Sequence, residues 1–301
     1  MKITFFLILL VSSAPGILFA QASHKSGKMV LIHAQKQSFV MGMDTCELFA
    51  NEPHQGWASY VGKHKVSFTY DFYMDTTLVT QGEYLKLMGY NPSGKNTGDM
   101  TLPVEKVSWF DAILYCNARS HQDKLDSLYT YTAIERNGNS VVNITGLTYD
   151  IMKNGYRLPT NAEYEYTERA NTTGKYFFSP DEKNVEESGK EYSWSIRNTG
   201  FTYQAGGIKT QPVATKKANP WGIYDLIGNL FEWCSDWDAP YVLTDETNPV
   251  GMSSSPEGKK VAKGGSFRTD IMYHMRIAYH YKWTPSDTGG EIGFRCVRTK
   301  Q

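Results

Sequence analysis

The sequence predicts a single α+β domain with little regular secondary structure. It contains 20 Tyr and 7 Trp but few long apolar runs, which is typical of an irregular fold packed through aromatic rings, or of a surface that stacks on ligands. Short alternating segments predict strands, and isolated capping sequences predict short helices. Since no repeat, low-complexity block or linker divides the chain, we expect one domain.

The first predicted elements are strands. Residues 29–42 have an extended pattern, and residues 65–73 alternate between apolar and polar side chains, which predicts one buried face. The segment between them, residues 44–62, is polar and aromatic without a period and is therefore predicted to be a loop.

Three helices are predicted from the residues that precede them. Thr80, Ser108 and Thr160 each stand three positions before an acidic residue, the arrangement of a capping box. After Ser108, apolar residues recur with helical spacing and predict a stripe that faces the core. Residues 128–154 are predicted to form a Tyr-rich hairpin, and residues 172–234 are turn-rich.

The N-terminus is predicted to be a signal peptide spanning residues 1–22. Lys2 precedes a short apolar run, and Ala20-Gln21-Ala22 provides a small-x-small cleavage site, with a second possible cut after Ala20. The run is too short to span a bilayer, and no other segment of the sequence is long and apolar enough. The alternative is a buried N-terminal helix or an uncleaved anchor. We therefore expect residues 23–301 to form an exported domain, either periplasmic or secreted.

The charge balance excludes some partners. Lys plus Arg and Asp plus Glu both total 31, so no bulk field attracts nucleic acid or an anionic membrane. The sequence contains no Ser-His-Asp motif, phosphate loop or nucleotide fingerprint. A peptide, a glycan or another envelope protein remains as a partner class, and the oligomeric state is not predicted.

The cysteines allow several arrangements. The chain contains Cys46, Cys116, Cys234 and Cys296, and four cysteines permit three pairings if the compartment is oxidising. Because no two of them form a C-x-x-C pair, a thiolate zinc site is not expected.

Seven short motifs follow one another in order over most of the mature chain. They are Phe39–Gly42, Pro103–Trp109, Tyr156–Glu163, Pro220–Asn229, Glu232–Trp233, Lys263–Phe267 and Gly293–Cys296. Each motif alone is weak, but the set in this order resembles the formylglycine-generating enzyme (sulfatase-modifying factor) family. The resemblance implies an elaborated C-type-lectin-like α+β fold and a disulfide between Cys116 and Cys296.

The resemblance also locates the oxidase chemistry. The family's oxidase holds Cu(I) between two thiolates, which are soft ligands for a soft ion. Counted from the Gly-Gly-Ser motif, those two positions fall at Thr269 and His274 in this sequence. A hydroxyl and a lone imidazole do not make such a site, so copper is not expected.

The family's substrate groove would lie at Ser266, Phe231, Tyr273 and Arg276. We therefore expect a non-oxidase binding or interaction module rather than an enzyme. The alternative is a protein that still modifies sulfatases through other ligands, or that assists an active relative.

The resemblance further implies a structural calcium site. It would use the side chains of Asp225 and Glu232 and the backbone carbonyls of Gly228 and Leu230. Two carboxylates with carbonyl oxygens suit Ca²⁺, a hard cation. The alternative is that Asp225 caps a turn and Glu232 forms a surface ion pair.

A third hypothesis concerns histidine. His274 and His280 lie near Tyr273, Tyr279 and Tyr281, and some members of the family use histidine ligands for iron. A metal-dependent oxidase built on these histidines is the second alternative function. The competing interpretation of the same residues is a polar aromatic wall of the groove.

Overall fold

The computed structural model describes residues 28–43, 62–95, 97–179, 182–270 and 275–301. Several predictions concern residues outside these ranges. They are the signal peptide, Cys46, and the groove and copper positions Tyr273 and His274.

The described elements are short. The helices are α1 (Gln81–Met88), α2 (Trp109–Gln122), α3 (Asn161–Arg169) and α4 (Val185–Tyr192). The strands are β1 (Met29–Ile32), β2 (Ser38–Met41), β3 (His64–Ser67), β4 (Phe72–Asp75), β5 (Tyr129–Thr130), β6 (Ala133–Asn137), β7 (Ser140–Thr145), β8 (Thr148–Tyr149), β9 (Tyr156–Arg157), β10 (Phe231–Trp237), β11 (Glu246–Thr247), β12 (Lys260–Lys263), β13 (Tyr281–Trp283), β14 (Ile292–Gly293) and β15 (Val297–Thr299). This mixture of few helices and many short strands confirms the predicted α+β domain.

Three sheets organise these strands. The first has the order β1-β4-β15-β9, with antiparallel neighbours throughout. The second has the order β13-β12-β10-β14, in which only β14 runs parallel to its neighbour. The third has the order β11-β3-β2, and the pairs β5–β8 and β6–β7 stand apart. Because β15 pairs with β4, the C-terminal end of the chain joins the sheet that contains its first described strand.

The single strand predicted for residues 65–73 is divided between two sheets. Strand β3 ends at Ser67 and β4 begins at Phe72. Between them the backbone N–H of Thr69 donates to the side chain of Asn248 at 2.8 Å, rather than to a strand partner. The aromatic rings at positions 68, 70 and 72 are all buried. The alternation of apolar and polar residues therefore continues through the bend between β3 and β4, although the strand does not.

The three predicted helix starts are confirmed. The hydroxyls of Thr80, Ser108 and Thr160 each accept a hydrogen bond from the backbone N–H three residues later. The acidic side chain at that later position accepts the backbone N–H of the capping residue. Helix α4 was not predicted from the sequence. Its N-cap residue, Asn184, is left-handed (φ 53°) and makes no side-chain capping bond, so no capping sequence marks its start.

The predicted hairpin is confirmed at β6 and β7. Its inner strand, β7, buries Val141 and Ile144, whereas β6 is exposed along its length. The backbone N–H of Val141 donates to Asp111 at 3.0 Å, and the hydroxyl of Ser108 donates to the Val141 carbonyl at 2.8 Å. The first turn of α2 therefore fixes the hairpin to the body of the domain.

The largest apolar cluster lies between α2 and the second sheet. At its centre are the indoles of Trp109 and Trp233, which are almost fully buried. The N–H of Trp109 donates to the carbonyl of Cys234 at 2.8 Å, and that of Trp233 donates to the carbonyl of Val107 at 3.0 Å. Buried indoles need such partners, and the two bonds tie the second sheet to the start of α2.

Helix α3 is polar in sequence yet buried along its whole length. Glu163 pairs with Arg157 (2.6 Å), Glu165 pairs with Arg169 (2.7 Å), and the four side chains are almost completely enclosed. Burial raises the pKa of a third carboxyl, Glu168, to about 8, although nearby Lys263 opposes this shift. We therefore expect Glu168 to be protonated in the folded protein at neutral pH.

The pKa of Glu168 predicts a dependence of stability on pH. Its folded pKa of about 8 lies above the ordinary glutamate value of 4.5, so between these values the folded state holds a proton that the unfolded state has released. Stability from this group is present below pH 4.5 and is lost as the pH rises towards 8, by at most about 1.4 kcal/mol per pH unit. Urea unfolding of Glu168→Gln between pH 5 and 8 should show a shallower fall than wild type.

The control is Glu135→Gln, which makes the same change on the exposed strand β6. The free energy of unfolding of this variant should fall with pH as steeply as that of wild type. Equal slopes for wild type and Glu168→Gln would show that Glu168 ionises normally in the folded chain.

Candidate functional site

An open groove of about 370 Å³ lies beside the second sheet. It is lined by Ile196, Tyr203, Phe231, Arg268, Thr269, Asp270, Tyr281, Trp283 and Glu291. Three larger cavities, of about 390, 510 and 650 Å³, lie around β1, β2 and β3 and contain none of the predicted site residues. The candidate site is therefore the smaller groove, because Phe231 and Thr269 meet there.

One wall of the groove is aromatic. Tyr281 and Trp283 alternate along the edge strand β13, so they point to the same face of the sheet. The ring centroid of Phe231 lies 5.3 Å from that of Tyr281 and 6.0 Å from that of Trp283. Phe231 is buried and forms the floor, whereas 39% of Tyr281 is exposed at the rim.

The opposite wall carries charged groups that are already paired. The guanidinium of Arg268 donates to one oxygen of Glu291, and the hydroxyl of Ser266 donates to the other at 2.8 Å. Asp270 pairs with Arg197 at 2.6 Å. Each of the two carboxylates in the groove thus has an arginine partner.

Two further aromatic rings support Arg268 from outside. Its guanidinium carbon lies 5.1 Å from the ring centroid of Phe201 and 5.6 Å from that of Tyr203. Both distances are within the range of cation–π contacts. The rings restrict the orientation of Arg268, and Tyr203, which is 70% exposed, extends the groove into solvent.

The turn after β12 places these groups. Gly264 and Gly265 have φ angles of 86° and 77°, which favour glycine. A Cβ on Gly264 would lie 2.7 Å from the carbonyl oxygen of Leu226. Next in the turn, the hydroxyl of Thr269 accepts the N–H of Ser266 at 2.8 Å and donates to its carbonyl at 2.9 Å. The hydroxyl at the family's cysteine position is therefore occupied in holding the turn.

The structure places the predicted groove residues in different environments. Phe231 and Thr269 line the groove. Ser266 is fully buried and acts through its bond to Glu291 instead of facing the groove. Arg276 is not among the described lining residues, and its side chain hydrogen bonds with Tyr176.

Sequence reasoning did not select Tyr203, Arg268, Trp283 or Glu291 for the groove. A signal was available for one of them, because an aromatic residue recurs two positions after Tyr281 on a strand. The Arg268–Glu291 pair had no local signal, since its members lie far apart in the chain.

The described cysteines are Cys116, Cys234 and Cys296, and all three are buried thiols. The Sγ atoms of Cys116 and Cys296 lie 3.7 Å apart, which brings together the pair that the family resemblance implied. Burial raises the pKa of both Cys116 and Cys234 well above the usual range. No described cysteine lines the groove.

The predicted calcium site contains a buried ion pair. Glu232 accepts from Arg295 through both oxygens, at 2.6 and 2.7 Å, and one of these oxygens also accepts from the hydroxyl of Tyr164 at 2.9 Å. Neither member of the pair has exposed surface. The alternative of a surface ion pair at Glu232 is therefore wrong, because the pair lies in the interior.

Asp225 differs from Glu232 in having no such counterion. Its carboxylate is almost fully buried and accepts the backbone N–H of Ala214 at 2.8 Å, and no described cationic residue forms a salt bridge with it. Its pKa is raised to about 6, mainly by burial; the bond from the Ala214 N–H and the charge of Arg295 oppose this shift, and the charge of Glu232 adds to it. Buried carboxylates are normally paired or bound to metal, and Asp225 is the member of the predicted set that has no ion-pair partner among the described residues.

Two buried histidines, His64 and His280, each pair with a different carboxylate. His64 contacts Glu246 at 3.3 Å, and His280 contacts Asp238 at 3.1 Å. Burial lowers the pKa of His280. In the described ranges, no three His, Cys, Asp or Glu side chains converge on a metal position. His280 therefore lies in a hydrogen-bonded dyad, and its suggested partner His274 is outside the described residues.

No described helix combines the length and the apolar character that crossing a bilayer requires.

The chain matches a known family over nearly its whole length. The model of the sulfatase-modifying factor enzyme 1-like domain matches residues 16–300. Chaperone protein LppX of Paenibacillus barcinonensis is 34% identical over 245 residues, covering 76% of this chain and 81% of that protein. The formylglycine-generating enzyme of Mus musculus is 30% identical over 204 residues, covering 65% of this chain but only 44% of that enzyme.

Solved structures share the fold. Treponema denticola variable protein 1 superposes with a TM-score of 0.73 at 27% identity, covering 92% of this chain and 98% of that one. PvdO from Pseudomonas aeruginosa, at 22% identity and a TM-score of 0.61, shares the fold. These neighbours and the mixed architecture confirm the predicted fold, and the chain belongs to the family of the sulfatase-modifying factor enzyme 1-like domain.

Proposed function

We propose that this chain is an exported, non-oxidase binding module of its family, and that the groove beside the second sheet is its binding site. One observation carries the proposal. The described cysteines are all buried in the core, and the groove presents a threonine hydroxyl at the family's cysteine position. A hydroxyl engaged in a turn does not replace a thiolate as a ligand for Cu(I).

The shape of the groove supports binding. It combines aromatic side chains of the second sheet with a few polar side chains of fixed orientation, which is the usual composition of a ligand site. A relative named as a chaperone protein and a structural neighbour named as a variable protein also favour a role without oxidation. The partner classes are a peptide, a glycan or an envelope protein.

The competing function is sulfatase modification, either directly or as an accessory protein. It rests on the similarity to formylglycine-generating enzymes, including 33% identity over 148 residues to that of Streptomyces coelicolor. That match covers 46% of the relative, and sites on a shared fold diverge in function. A histidine-ligated oxidase is less favoured, because the described His280 already pairs with Asp238.

A copper and aldehyde assay separates these functions. The mature chain would be incubated with Cu(I), oxygen and a cysteine-containing sulfatase peptide. After desalting, elemental analysis measures the copper retained by the protein, and mass spectrometry measures aldehyde on the peptide. We expect no retained copper and no aldehyde. The double variant Thr269→Cys with His274→Cys should gain copper, because it restores two soft ligands.

The single variant Thr269→Cys is the matched control and should retain no copper, since one thiolate cannot provide linear two-sulfur coordination. Stoichiometric copper and aldehyde formation by the wild-type chain would rule out the non-oxidase proposal.

We also propose that calcium binds at the turn containing Asp225, Gly228, Leu230 and Glu232. The ion would supply the positive charge that Asp225 lacks and stabilise the folded chain. At a calcium concentration of 100 times Kd the gain would be about 2.7 kcal/mol. Thermal melts with calcium and with chelator should therefore differ, and Asp225→Ala should abolish that difference.

The control is Asp245→Ala, which removes an exposed carboxylate and should keep the calcium-dependent shift. Identical wild-type melting temperatures with calcium and with chelator would contradict the site.

Export predicts both the N-terminus and the redox state of the mature chain. We expect the secreted or periplasmic protein to begin at residue 21 or 23, the two predicted cleavage points. In an oxidising compartment the Cys116 and Cys296 sulfurs, already adjacent, should form a disulfide. N-terminal sequencing, followed by alkylation before and after reduction, checks both statements. Recovery of an uncleaved chain whose two thiols are free would contradict export.

A further inference from the structure

The groove contains an unusual group of ring faces in contact with solvent. Tyr203 is 70% exposed and Tyr281 is 39% exposed, and both lie in the same groove as Trp283. Contiguous apolar surface of this kind marks a place where a ligand or partner binds. The rings are also held in place, since Phe231 supports Tyr281 and Trp283 from below.

The charges in the groove argue against an ionic ligand. Glu291 is paired with Arg268, and Asp270 is paired with Arg197. A cationic or anionic group entering the groove would meet carboxylates and guanidinium groups that already neutralise one another. Such a ligand would lose hydration without gaining a new opposite charge.

The same pairs are suited to hydroxyl groups. A guanidinium has five N–H donors and a carboxylate has about four acceptor positions, so the Arg268–Glu291 pair retains donors and acceptors next to each other. Each sugar hydroxyl both donates and accepts. The groove therefore offers matched polar partners beside two aromatic rings, those of Tyr281 and Trp283.

We infer that the groove binds the neutral pyranose rings of a glycan. The C–H face of a pyranose carries partial positive charge and packs on the negative face of an aromatic ring, here Tyr281 or Trp283. Its hydroxyl edge reaches Arg268 and Glu291. The cavity of about 370 Å³ lies in the size range of small-ligand sites. This inference rests on the proposed binding function and selects one of its three partner classes.

The test is a titration of the exported chain with neutral cello-, malto-, xylo- and chito-oligosaccharides, followed by calorimetry and tryptophan fluorescence. We expect at least one of them to bind. Tyr281→Ala and Trp283→Ala should each weaken that binding by about tenfold, equivalent to about 1.4 kcal/mol. Tyr131→Ala is the matched control, because Tyr131 has the same 39% exposure and lies outside the groove.

A thermal melt of each variant establishes that it folds. If Tyr281→Ala or Trp283→Ala fails to fold, Tyr203→Ala replaces it, since that side chain is mostly in solvent. It should weaken binding in the same direction.

A parallel titration with extended peptides, including a cysteine-containing sulfatase peptide, distinguishes the two levels of the proposal. Peptide binding that is lost in Tyr281→Ala, with no oligosaccharide binding, would overturn the glycan inference and leave the binding function standing. No binding by either class would overturn both. Oligosaccharide binding that is unchanged in the groove variants would place the sugar site elsewhere and also overturn the inference.

Discussion

The buried pair of Arg295 and Glu232 is the interaction on which the interior depends. Both side chains are fully enclosed, and Arg295 also donates to the carbonyls of Asp75 and Tyr224. Because an unpaired charge in a protein interior is strongly unfavourable, the strands and turns that carry these groups must assemble together. Glu232 follows Phe231 in β10, so the pair also fixes the floor of the groove.

Local features of the fold could be predicted from sequence because their causes are local. The capping hydroxyls at Thr80, Ser108 and Thr160 mark helix starts correctly. The complete burial of α3 could not be predicted in this way, since most of its residues are polar or charged. Its carboxylates are accommodated by groups from distant segments, such as the Gly42 N–H, which donates to Glu165 at 2.8 Å. Hydrophobic periodicity contains no information about such partners.

The groove was predicted only in part. Resemblance to a family located Phe231 and Thr269, which follow the Gly-Asn and Gly-Gly-Ser motifs in the chain. It did not locate Arg268 with Glu291, because these residues are 23 positions apart in the chain and meet only through the tertiary fold. Ser266 was assigned to the groove but is buried behind it, because a motif specifies residue order and not depth. The position of Cys116 beside Cys296 came from resemblance as well, and the 3.7 Å contact agrees with it.

The buried amine of Lys263 has a consequence for how such a chain diverges. It donates to the backbone carbonyls of Ile277 and Tyr279 at 2.5 and 3.0 Å, while Thr269 closes the preceding turn on Ser266. The C-terminal end of the intervening stretch is thus held through its main-chain carbonyls, which every amino acid provides, whereas its N-terminal end is held through the Thr269 hydroxyl. Side chains at the C-terminal end can therefore change without loss of the two bonds to Lys263, so that inherited architecture and inherited reactivity are separable.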